Sequence, residues 1–194
     1  MTVAARQQDL TAKARIRNSA LELFALLGEE GTSMRRIAAD AGVTVGLIVH
    51  HFGTKNRLRE EVELHVVEQF AEAIASVPTD SAPRDVGQRR DRAVAEMLAD
   101  QPLVVTYVRR AALGLNGPDS DLMRRLTQLA IDETARARAA GLVPPFRSDA
   151  HTVIRTMTRQ LGQLLLQPMI DSMWDQLGED PDSADKPALV VRIE

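Results

Sequence analysis

Residues 34–52 read MRRIAADAGVTVGLIVHHF, and this stretch decides the fold. Ile37, Ala38 and Ala41 share one face of a short helix, which Gly42 stops. Thr44 is placed to cap a second short helix, about 44–50, with Val43 at its entrance and Ile48 on its buried side. Two short helices joined by a tight glycine turn form a helix-turn-helix pattern. The second helix must be short enough to lie in a DNA major groove about 12 Å wide. The first must hold it at a fixed angle through a small apolar seam. Ile37, Ala38, Val43, Ile48 and Phe52 supply that seam. A side chain larger than Ala38 would push the two helices apart. Gly42 supplies the crowded or left-handed backbone position in the turn.

Outward from this core the chain reads as helix throughout, with no convincing run of strands. Upstream, Ile16, Ala20, Leu23, Phe24 and Leu27 make one face of a helix over about 10–28, ended by Gly28. Thr32 or Ser33 caps the first helix of the pair. Downstream, Thr54 caps a long helix over about 54–77, striped by Leu58, Val62, Val66, Phe70, Ala73 and Val77. Further helices are expected over about 84–99, 102–115, 120–140, 149–167 and 169–177, the last two separated by Pro168. That makes about nine helices in an all-α fold. PTDSAP (78–83), NGPDS (116–120) and LVPPF (142–146) read as loops. The tail GEDPDSADKP reads as mobile, and ALVVRI after it is apolar enough to dock on the rest of the chain.

Charge is unevenly spread over the 194 residues, whose net charge is −3. Residues 1–59 hold nine Lys/Arg against five Asp/Glu, a balance of +4, and residues 60–194 carry −7. A small basic module joined to a larger acidic one fits that division. There is no cysteine, so disulfides, thiolate metal sites and a cysteine nucleophile are excluded. No apolar run approaches the roughly 20 residues of a membrane span, and MTVAARQQDL lacks the apolar stretch of a secretory signal. A cytoplasmic location is the default expectation. Adjacent His50 and His51 point about 100° apart on a helix and make a poor pair for one metal ion. No nucleotide-binding glycine loop or catalytic constellation is visible, so neither enzyme activity nor a cofactor is expected.

The wider stretch ARIRNSALELFALLGEEGTSMRRIAADAGVTVGLIVHHFGTKNRLREEV (14–62) resembles the DNA-binding domain of TetR-family transcriptional regulators. The resemblance rests on Ile16, ALELF (20–24), Gly28, TSMRRIA (32–38), AGV (41–43), Gly46, HHF (50–52), and Lys55 followed by Leu58. It implies a three-helix DNA-binding head over residues 1–56 and a larger helical ligand-binding and dimerisation body over 57–178, with a tail at 179–194. It also implies a homodimer on double-stranded DNA carrying a palindromic operator, with a small-molecule effector. The implied activity is that of a one-component regulator, a repressor released by its ligand.

Residue by residue, the resemblance assigns base readout to Arg35, Thr44, Val45, Gly46, Leu47 and His50. It assigns phosphate contacts to Thr32, Ser33, Arg36, His51 and Lys55. Val49 stands where the family usually carries a phosphate-binding tyrosine. The recognition face is correspondingly apolar, with Val45, Leu47 and Val49, and thymine methyl groups are expected to carry part of the readout. Tyr107, Arg110, Met123, Met157, Gln160 and Trp174 are candidates for the ligand pocket. Val153, Ile154, Leu161, Gly162, Leu165 and Met169 are candidates for the dimer interface, although the same stripe can face its own core. Arg6, Lys13, Arg15 and Arg17 read either as a basic arm on DNA or as a solvated helix face. The rival to the whole reading is a helical small-molecule or protein-binding module, or an enzyme, with a vestigial head.

Overall fold

The computed structural model describes residues 12–79, 83–117, 119–143, 146, 148–180, 183 and 185–191. Among them there are eight helices and no strands. They are α1 (Ala12–Leu27), α2 (Met34–Ala41), α3 (Val45–Phe52), α4 (Lys55–Ala75), α5 (Pro83–Asp100), α6 (Pro102–Ala112), α7 (Leu122–Ala139) and α8 (Asp149–Gln176). The expected caps form. Ser33 and Thr44 accept hydrogen bonds from the backbone N–H groups of Arg36 and Leu47, and at the start of α8 Ser148 accepts one from His151. Thr54 likewise accepts from the N–H of Arg57 at 3.2 Å.

The separate helices expected on either side of Pro168 are one. Proline removes a single backbone hydrogen bond from a helix while its own φ suits one. Ion pairs lie on both sides of it: Arg159 with Asp91 at 2.5 Å before the proline, and Lys186 with Asp171 at 3.2 Å after it.

Contacts divide the chain into two compact units, residues 1–73 with 94–125 and residues 74–93 with 126–194. The expected head lies within the first unit. There α1 packs against α2, α3 and α6. Ile16, Ala20, Phe24, Ile37, Ala38, Ile48, Phe52, Leu58 and Val62 are all buried. Val104, Tyr107 and Val108 of α6 complete this core. In the second unit Val86, Leu126 and Val153 are buried, and ion pairs tie Arg90 to Glu133 at 3.6 Å and Arg138 to Asp149 at 2.5 Å.

Candidate nucleic-acid interface

The α2–turn–α3 pair is built from local chemistry. Gly42 sits in the left-handed region at φ 65° and closes α2 by donating its N–H toward the carbonyls of Ala38 and Ala39. Val43 N–H donates to the Ala38 carbonyl at 2.9 Å, so the chain turns at once into α3. Val43 is half-buried in the turn, and Ile48 and Phe52 are the inward residues of α3. Eight residues make α3 about 12 Å long, matched to the width of a major groove.

The outward side of α3 carries the expected readers. Thr44, Gly46, His50 and His51 are exposed, and Val45 and Leu47 are half-buried. Val49 is 50% exposed, an uncovered apolar side chain where a phosphate-binding hydroxyl was expected to be missing. The His50 and His51 rings lie edge to face, 5.3 Å apart.

At the start of α2, Ser33, Arg35 and Arg36 are exposed. Neither arginine has an ion-pair partner among the described residues. Free N–H groups and the positive end of the helix dipole meet there, an arrangement suited to a phosphate. Thr32 departs from its expected role. It is buried, and its hydroxyl lies 2.8 Å from the Gly28 carbonyl and 3.2 Å from the Leu23 carbonyl. A side chain turned inward in this way locks the α1–α2 turn and does not reach DNA.

Lys55 opens α4. It is half-buried, and its Nζ donates to the Glu29 carbonyl at 2.5 Å. One ammonium group carries three N–H bonds, so this contact fixes Lys55 at the α1–α2 turn and leaves donors for a phosphate. Lys13 is held by Glu61 at 3.2 Å and lies 5.7 Å from the centre of the Phe52 ring, which favours a role within the head. Arg15 and Arg17 are half-buried, and Arg6 lies outside the described residues.

Behind the head is a buried charged cluster that the sequence reading missed. Glu63 of α4 is fully buried. Its Oε1 accepts from Arg59 Nη1 at 3.1 Å and from Ser120 Oγ at 2.8 Å. Its Oε2 accepts from the Asp121 N–H at 3.3 Å and lies 3.6 Å from Arg125 Nε. Arg59, also buried, reaches Glu29 at 3.3 Å. Burial raises the Glu29 carboxyl above its ordinary value, against the opposing pull of Arg59 and Lys55. A single network thus ties the start of α7, through α4, to the turn that carries α2.

The expected ligand residues fall in both units. Tyr107 is buried, its hydroxyl has no hydrogen-bond partner among the described residues, and burial raises its pKa. Nearby, Asn116 donates to the Tyr107 carbonyl at 3.2 Å. Arg110 donates to the Leu115 carbonyl at 3.1 Å and lies over Gly28, where an added Cβ would come within 2.5 Å of its Nη2. Met123 of α7 and Met157 of α8 are half-buried. Gln160 approaches Asp91 at 3.5 Å, and Trp174 donates to the Asp180 carbonyl at 2.9 Å.

Of the expected interface residues, Ile154 and Met169 are 56% and 55% exposed. Leu161, Gly162 and Leu165 are half-buried. Val153 is buried in its own unit and drops out, because neighbours on a helix point about 100° apart and Ile154 faces outward.

A family model described as bacterial regulatory proteins, tetR family, matches residues 16–62. Over 146 residues the chain is 34% identical to the HTH-type transcriptional regulatory protein RaaS of Mycobacterium tuberculosis, a match covering 73% of this chain. The chain spans 64% of the length of that relative. A tetR-family transcription regulator from Shewanella sp. PV-4 superposes with a TM-score of 0.68 at 23% identity, covering 87% of this chain and 92% of that one. A gamma-butyrolactone receptor described as ArpA-like superposes with a TM-score of 0.59 at 19% identity, covering 89% and 87%. At such identities the two structures speak for the fold alone.

Proposed function

The chain belongs to the tetR family of bacterial regulatory proteins, and from that premise we propose that it is a one-component transcriptional repressor acting as a cytoplasmic homodimer. The observation that carries the reading is the capped α2–turn–α3 pair, with Arg35, Arg36, His50 and His51 exposed beside it. One eight-residue helix reads only a few base pairs, so two heads on a palindrome, about one DNA turn apart, supply the specificity. Arg35 and His50 are the polar base readers, Thr44, Val45, Gly46 and Leu47 face the groove floor, and Ser33, Arg36, His51 and Lys55 hold phosphates.

The effector is a small molecule taken up behind the head. The unpaired, buried hydroxyl of Tyr107 supports this, since such a group gains from a ligand acceptor. Arg110 and Met123, in the same compact unit as Tyr107, remain the other candidates to line the site. Binding shifts the population of head orientations only by its differential affinity for them.

The test is selection from random duplexes followed by mobility shift with the enriched DNA. A palindrome bound by the wild type and lost on Arg35→Ala with His50→Ala supports the reading. No enrichment, or enrichment without two-fold symmetry, overturns it. Replacing thymine by uracil in the selected site then probes Val45, Leu47 and Val49. Affinity unchanged at every position would remove the methyl contacts from the account.

A further inference from the structure

Residues 185–191 run back along α8. Gln167 grips it with both ends of one amide: Nε2 donates to the Pro187 carbonyl at 3.1 Å, and Oε1 accepts from the Leu189 N–H at 2.7 Å. This is the donor and acceptor pair that a neighbouring strand would offer. Gln163 Nε2 donates to the Leu189 carbonyl at 3.4 Å, and Lys186 pairs with Asp171. As the tail number rises from 180 to 191, its partners on α8 step from Trp174 through Asp171, Gln167 and Gln163 to Gly162. The segment is therefore antiparallel to the helix.

Its last described residue changes face. At about 100° per residue, Gly162 lies about 100° round from Gln163 but within about 40° of Leu166, Met169 and Met173. Those three side chains are 45%, 55% and 49% exposed. A Cβ on Gly162 would stand 2.7 Å from Val191 Cγ2, so the missing side chain is what admits the valine. Val191 thus sits within an exposed apolar stripe. The polar contacts that bring it there are mostly open to water, where ion pairs and hydrogen bonds hold weakly.

We propose that residues 186–191 form a strap that competes with a second copy of the chain for the apolar face of α8. Docked, the strap fills the Gly162 notch. Released, it lets the Gly162, Leu166, Met169 and Met173 face pair with its twin. The inference rests on the homodimer reading and adds a control to it.

The test uses the full-length chain with changes confined to the strap, which leave α8 itself intact. Leu189→Pro removes the N–H that Gln167 accepts, and Val191→Asp removes the apolar seat. Self-association is measured by sedimentation, and protection of the Leu189 amide by hydrogen exchange at rising concentration. Both variants should self-associate several-fold more tightly than the wild type, and wild-type protection at Leu189 should fall as dimers form. Association that is weakened or unchanged in the variants, or protection that holds as dimers form, overturns the strap and leaves the dimer standing. Wild type and variants that all stay monomeric overturn the homodimer reading and the strap with it.

Discussion

Replacing Glu63 by glutamine tests the buried network behind the head. The change keeps the shape and removes the charge. Glu63 is fully buried and takes four approaches: Arg59, Ser120, the Asp121 N–H and Arg125. A glutamine oxygen can still accept at one position, but its NH₂ then faces donors at the other. Breaking a buried charge pair from one side costs about 3–5 kcal/mol. Two features set this case at the low end. Arg59 keeps Glu29 at 3.3 Å, and Arg125 is 24% exposed, so neither cation is stranded. The expected loss is about 3 kcal/mol, or about 6–12 °C in thermal midpoint for a chain of this size. Arg59→Met should cost about as much, since it leaves a fully buried carboxylate without its main partner. Thermal and urea unfolding of Glu63→Gln, Arg59→Met and the double variant Arg59→Met/Glu63→Gln complete a cycle. The double variant should cost less than the two singles added together. A single-variant loss below about 1 kcal/mol, or simple additivity, would refute the idea that these groups act as one buried unit.

Arg35→Ala should relax base choice at one position of each half-site by about 1–3 kcal/mol, read by competition with mutated duplexes. Lys55→Ala should weaken all DNA sites alike and flatten the salt dependence by about one unit per head; because Lys55 also holds the Glu29 carbonyl, it should lower the thermal midpoint as well. Loss of sequence preference instead would contradict a phosphate role. Gly42→Ala meets no atom within 4 Å but must adopt φ 65°, so calorimetry should find about 1–2 kcal/mol of backbone strain and no more. Glu29 has its folded pKa raised, so the native chain binds that proton more tightly than the unfolded one. Its contribution grows unfavourable as pH rises through the window just above the ordinary carboxylate value, and is relieved as pH falls. Wild type should therefore gain stability over Glu29→Gln as denaturation is moved from neutral pH toward that value, and a flat or opposite difference would sink the assignment.

Much of the head was legible because its rules are local. Caps at Ser33 and Thr44, the left-handed Gly42 and the Ile37–Ile48–Phe52 seam each depend on residues a few positions apart. Thr32 was misjudged because two candidate cap residues adjoin, and only packing decides which hydroxyl turns inward. Pro168 misled because a proline takes only one backbone hydrogen bond from a helix, and the helical residues on either side of it carry α8 through. The buried cluster did leave a sequence trace. At about 100° per residue, the α4 stripe from Leu58 to Phe70 drifts through about 120°, and Arg59 and Glu63 fall at about 100° and 140° on the same scale. Arg59 thus falls within the apolar arc and Glu63 about 20° beyond its edge, a placement that favours burial of the pair. Glu29, Ser120 and Arg125 gave no such sign, since their meeting depends on tertiary placement.

That cluster bears on how a signal could reach DNA. A ligand felt only by the body must move something rigidly attached to the head. Lys55 and Arg59 are one turn apart on α4, and both hold Glu29, one at its carbonyl and the other at its carboxylate. Glu29 precedes the α1–α2 turn, and Thr32 bolts that turn to the end of α1. Rotation of the first turn of α4 therefore cannot leave the α2 N-terminus unmoved without breaking a buried contact. On the other side, Glu63 accepts from the Ser120 hydroxyl and the Asp121 N–H, the two residues just before α7. Displacing the start of α7 strains the same carboxylate that orients Arg59. Coupling through groups this deeply buried favours discrete arrangements over gradual ones, because an intermediate position leaves a charge unpaired. A two-state head is what the ligand-controlled release proposed above requires.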